Sequence, residues 1–183
     1  MKTTRTIQAT LIMAAILCSS LAGAANIGTS TYKAEKNKIK ATYKADKSSC
    51  AVLKHNAKDV CIEEAKAKEK VAHAENEFAH TGKSGDKEKI EIAKAESAYA
   101  VAKERCDDKA GNAKDVCIEE AKAIETKALA DVTLVKEIRT SKKDAAHDKR
   151  DADHKVAVEK CDALAGDAKT SCLNAAKLKA GKN

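Results

Sequence analysis

Apolar and small residues recur at alternating spacings of three and four along most of this chain, the period of a helix buried along one stripe. Ile92, Ala95, Tyr99, Ala102 and Cys106 keep this spacing in the middle of the sequence. After a turn, so do Cys117, Ala121, Ile124, Ala128, Val135 and Ile138, with Asp131 interrupting. Nearer the start, Tyr32, Ile39, Tyr43 and Cys50 fall in line. Lysines alternate with glutamates and aspartates on the remaining faces, as on helices supported by i,i+4 charge pairs. The pattern predicts antiparallel helices packed through alanine.

The elements are arranged as a repeat. HNAKDVCIEEAKA at 55–67 and GNAKDVCIEEAKA at 111–123 differ only in their first residue, and GDAKTSCLNAAKL at 166–178 is a drifted third copy. Each copy carries a Cys-x10-Cys pair: Cys50 and Cys61, Cys106 and Cys117, Cys161 and Cys172. A fixed period of this length is the signature of a repeat architecture. In the middle copy Lys87 to Lys109 contains only good or neutral helix formers. Gly111 follows at a position suited to the left-handed conformation, then Asn112 as an N-cap with Asp115 behind it. Gly166 and Asp167 repeat the punctuation, whereas the first copy has His55 and Asn56, a less comfortable turn.

Each pair of cysteines is five residues from the turn on either side, about 7.5 Å along each helix. A hairpin would bring them to one height, within reach of a disulfide. The competing geometry is one continuous helix. There, eleven residues place both cysteines on one face about 16 Å apart, and each would bond another helix or chain. The Gly–Asn/Asp punctuation favours the hairpin.

The chain predicts three units behind a leader: residues 1–24 as a signal peptide, 25–82 as the first hairpin, 83–138 as the second, and 139–183 as a shorter third. Thr81-Gly82-Lys83-Ser84-Gly85-Asp86 is a clear break between the first two. Arg139 to Asp144 has no glycine, and Ser141 with Asp144 resembles a capping box, so a break and an unbroken helix both fit. The expected fold is all-α: three tandem, disulfide-stapled antiparallel hairpins of long Ala/Lys/Glu-rich helices, elongated or loosely bundled.

Lys2 and Arg5, the apolar run Ile7–Leu17 and Ala22-Gly23-Ala24 read as the three parts of a secretory leader cleaved after Ala24. The apolar run is shorter than the roughly 20 residues of a membrane span. Cys18 follows Leu17, where a lipoprotein signal would have a small residue. Cleavage leaves six cysteines, an even number suited to disulfides in an oxidising compartment, and places the chain in the periplasm or outside the cell.

Composition narrows the rest. Of 183 residues 37 are alanine and 31 lysine, with one phenylalanine, three tyrosines and neither proline nor tryptophan. Alanine buries little area, so the core must be thin, and β-sandwiches or barrels, which need β-branched and aromatic residues, are excluded. The net charge of +7 becomes +5 once Lys2 and Arg5 leave. Acids are interspersed with the bases and no arginine–aromatic clusters occur, which argues against nucleic-acid binding. Without a Gly-rich phosphate loop, a Cys-x-x-Cys pair or an evident concave site, no enzyme is expected and no cofactor is implied.

The repeated NAKDVCIEEAKA with its Ala/Lys/Glu spacers resembles small exported proteins of proteobacteria often labelled TolA-like or cell envelope biogenesis. The resemblance implies a cell-envelope location. TolA-type proteins resemble the chain in their Ala/Lys/Glu helix and differ in carrying a permanent membrane anchor and a compact C-terminal domain.

One polar cluster offers chemistry. His147, Asp151 and His154 share a helical face, and His73, Glu77 and His80 repeat the arrangement. Imidazole and carboxylate suit Zn, Cu or Ni, although positions two turns apart reach one ion poorly. The expected function is a non-enzymatic helical-repeat protein of the envelope with a structural or protein-interaction role. The alternatives are a stress-protective, chaperone-like protein and a weak metal binder. Expected partners are an envelope protein or unfolded clients, with no transmembrane segment after cleavage and an open oligomeric state.

Overall fold

A computed structural model describes residues 26–182. Five helices run in sequence order: α1 (Thr29–Ser49), α2 (His55–Thr81), α3 (Ser84–Cys106), α4 (Gly111–Cys161) and α5 (Gly166–Lys179). A single 3-10 turn at Cys50–Val52 follows α1. The described residues contain no strand. The leader and Cys18 lie outside the described residues.

Each helix packs only on its neighbours in sequence. Thus α2 lies between α1 and α3, and α3 between α2 and α4. The layout is a chain of hairpins rather than a bundle around a shared core, consistent with the scarcity of large side chains. The buried apolar residues are Ile39, Ala65, Ile90, Ala93, Ala95, Ala121, Ala176 and the cysteines Cys50, Cys106 and Cys161. Among the described residues these three cysteines are the largest side chains almost completely enclosed. Where a typical domain buries leucine and phenylalanine, this one buries sulfur, methyl groups and two isoleucines. Each alanine yields little transfer free energy but lets two helix backbones approach closely.

The three disulfides close within the hairpins: Cys50–Cys61, Cys106–Cys117 and Cys161–Cys172, each with a Cα–Cα distance of 5.7 Å. That lies in the unstrained range for a disulfide, which the continuous-helix geometry could not reach.

The turns differ in detail from the sequence expectation. Gly111 and Gly166 do adopt left-handed backbone, φ +54° and +58°, and His55 adopts it in the first copy, φ +53°. They open the second helix of each hairpin rather than close the first. The middle hairpin's first helix stops at Cys106, not Lys109. Its second starts at Gly111, with the extended residue Ala110 at the cap position and no side-chain cap from Asn112. The left-handed residue itself reverses the chain direction, so the following helix gains no Asx cap.

The junction at 139–144 is unbroken helix. α4 runs for 51 residues, about 76 Å, through Ser141 and Asp144, which cap nothing. Thr140, Ser141 and Asp144 are weak helix formers, but with no Gly or Pro in the stretch none of them stops the helix. The first junction does break. There Gly82 takes φ +63° and its N–H donates to the Phe78 carbonyl at 2.8 Å, closing α2.

Candidate functional site

The first candidate is the pair of histidine sets. His147 Nδ1 lies 3.7 Å from Asp151 Oδ2 and 3.8 Å from Asp148 Oδ1. Asp151 also receives Lys182 Nζ at 3.2 Å, and that bond, with the nearby His147, holds its carboxyl below the ordinary value. His154 takes no part: its Nδ1 is buried without a partner. In the other set the three side chains serve three separate contacts. His73 is 3.9 Å from Glu69, Glu77 accepts from Tyr32, and His80 turns to the segment before α1. Among the described residues no three His, Cys, Asp or Glu side chains converge to hold a metal ion.

His80 belongs instead to a docking point for the segment that leads into α1. Its Nδ1–H donates to the Ile27 carbonyl at 2.9 Å, and the Ile27 N–H donates to the Ala79 carbonyl at 2.9 Å. The Tyr32 ring stacks on the His80 ring with centroids 4.6 Å apart. The Tyr32 hydroxyl donates to Glu77 Oε2 at 2.8 Å, and this bond raises its pKa above the usual phenol value. Asn76, buried, donates to the Tyr32 carbonyl at 3.1 Å. Sequence reading placed Tyr32 on an apolar seam and the histidine in a metal set. Their meeting across 48 residues has no local signal.

A second group missed by sequence is a repeated clip across the turns. Lys114 donates to Asp107 at 2.9 Å, and Lys169 to Asp162 at 2.9 Å. These are equivalent positions of the second and third repeats, and Asp107 raises the Lys114 pKa. The first repeat has Ala51 in place of the aspartate. At the α2–α3 turn, Asp86 accepts from Thr81 Oγ1 at 2.6 Å and from Lys89 Nζ at 2.8 Å. These bonds, the lysine's first, lower its pKa.

The third candidate is a surface. α3 packs on two sides. Ser97 and Val101 line the groove against α2, and Ile90 and Ala93 precede them on the same helical face. The seam Ala95, Tyr99 and Ala102 faces α4. α4 answers with Ala121, buried, and Ala128 and Val132, half-buried. Small residues on both sides leave this α3/α4 seam an open groove of about 1040 Å³. Its apolar floor includes Ala95, Ala98 and Ala128, and Glu88, Lys94, Glu125 and Arg139 stand on the rim. Arg139 reaches Glu88 at 2.5 Å across it. Ile124, 66% exposed, and Val135, 62% exposed, edge the groove from α4.

No described helix is long and apolar enough to cross a membrane. The chain matches no protein family, no curated protein and no solved structure.

Proposed function

We propose that this is a non-enzymatic, exported helical-repeat protein of the cell envelope whose role is to bind another protein. The observation that carries the reading is the α3/α4 groove, where Ile124, Val135 and Ile138 stand exposed beside an alanine floor. A helix laid into an apolar groove is a common mode of protein recognition, and small floor residues let its backbone approach closely. Contiguous exposed apolar surface on an otherwise highly charged protein marks an interaction site.

Three disulfides and the secretory pattern of residues 1–24 support an oxidising location outside the cytoplasm. The surface rich in lysine and carboxylate supports a binder over a catalyst. The same open groove would also accept an apolar segment of an unfolded client, the basis of a chaperone-like reading.

Lysine cross-linking in intact cells, followed by non-reducing separation and mass spectrometry, tests the proposal. The expected result is recurrent links from groove lysines such as Lys94 and Lys142 to one or two discrete proteins. A diffuse set of many clients would refute the specific-binder reading and favour the chaperone-like one.

A further inference from the structure

We infer that the partner of this surface is a second copy of the chain, paired with the first through α4 in an antiparallel, two-fold symmetric dimer. The inference rests on the interaction reading above and names its partner.

The internal repeat shows which face is empty. Cys61 and Cys117 are 56 residues apart, so each α2 position has an α4 counterpart 56 residues on. α2 offers α3 a face that includes Glu64, bonded to Arg105 at 2.6 Å, and Ala67 and Val71, half-buried along the α2/α3 groove. The corresponding α4 residues are Glu120, Ala123 and Lys127, and all three are exposed. Farther along, Phe78 is half-buried in the first repeat, whereas its counterpart Leu134 is 53% exposed. In the first repeat the chain breaks at Gly82 and folds α3 back onto this face. In the second repeat Ile138 stands in place of that glycine and the helix continues. Among the described residues no helix of the same chain returns to cover it.

The exposed apolar residues mark the same face. Ile124, Leu134, Val135 and Ile138, with Asp131 among them, span little more than a quarter of the helix circumference. Every residue from 133 to 150 is exposed, and the Arg139–Glu88 pair to α3 is the inter-helix ion pair that ties this stretch to its own chain among the described residues.

Charge selects the occupant and its direction. Glu119 and Glu120 lie toward one end of this stretch, and Lys142 and Lys143 toward the other. An antiparallel pairing about Asp131 sets Glu120 against Lys142 of the partner copy, and symmetry makes the contact twice. The same register sets Ile124 against the partner copy's Ile138 and lays its residues 112–129 along 133–150. A parallel pairing would oppose glutamate to glutamate and lysine to lysine. A face that complements itself under a two-fold rotation is the isologous type of interface. Asp131 alone meets its own symmetry mate, a like-charge contact that weakens the pairing.

Sedimentation equilibrium of the oxidised protein should give twice the chain mass. Zero-length carbodiimide coupling of mixed light and heavy copies should join Glu120 to Lys142 between copies. Within one helix these residues are roughly 33 Å apart and cannot be joined. The double substitution Ile124→Glu, Ile138→Glu should weaken association at least about tenfold with helicity unchanged. Asp131→Asn should tighten it. Glu120→Lys should weaken it, and adding Lys142→Glu should restore it.

A monomer at every concentration overturns the inference. So does a dimer that survives the isoleucine substitutions, or one that dissociates only on disulfide reduction. A monomer that still forms discrete cross-links to an envelope protein in cells overturns self-association alone and leaves the interaction reading standing.

Discussion

α5 depends on one covalent bond. It has 14 residues, buries only Ala176, and touches only α4. A helix of that length is marginal in water by itself. Its surface clip, Lys169 to Asp162, is half exposed and adds little. The loop closed by Cys161–Cys172 spans 11 residues, for which the chain-entropy relation gives about 3 kcal/mol of restraint on the unfolded ensemble. That exceeds what one buried methyl group contributes, about 1 kcal/mol. Replacing both cysteines by alanine should therefore melt α5 locally and leave the rest intact. Far-UV circular dichroism should lose about a tenth of its helical signal, the share of α5 among the helical residues. Hydrogen exchange should show unprotected amides throughout 166–179 with unchanged protection in α2 and α3. Protection of α5 in this variant equal to that of the parent would refute the premise that the disulfide, rather than packing, holds the third hairpin.

Other outcomes follow from single contacts. His55→Gly relieves a left-handed residue that carries a side chain, and should raise stability to chemical denaturation by about 1 kcal/mol. Tyr32→Phe removes the bond to Glu77 and should lower stability in the same assay, and an unchanged midpoint would show that the bond does not hold the segment before α1. The Asp86 carboxyl is held below its ordinary value by Lys89 and Thr81, so its contribution is present above about pH 4 and is lost as pH falls through the folded value. Asp86→Asn should accordingly flatten the acid limb of the stability profile, and an unchanged limb would show that the bonds do not stabilise the turn. Reduction of all three disulfides should broaden and lower the thermal transition far more than any of these substitutions.

Much of this fold is readable from the chain because its determinants are local. The Cys-x10-Cys pairs close within hairpins because five residues on each side of a turn bring two helices to one height. The left-handed positions at 55, 111 and 166 follow from glycine and from the repeat itself. Their role at the start of the second helix was hidden, because a left-handed residue can serve either side of a turn. The seam through Ile92, Ala95, Tyr99 and Ala102 was visible, but not the second packed face of α3, because alanine and serine at Ile90, Ala93 and Ser97 spacing do not stand out from their surroundings.

What the sequence alone determined was helix, hairpin and staple: properties of propensity, period and spacing over a dozen residues. Tertiary structure decided the rest. It joined the second and third hairpins through one 51-residue helix, because the balance at Arg139–Asp144 lies between two weak local preferences. It drew His80 away from a metal set and into contact with Tyr32 and Ile27, 48 and 53 residues away, a meeting no local pattern encodes. It also left one face of α4 without a covering helix, because the second repeat has Ile138 where the left-handed Gly82 closes α2 and its helix runs on.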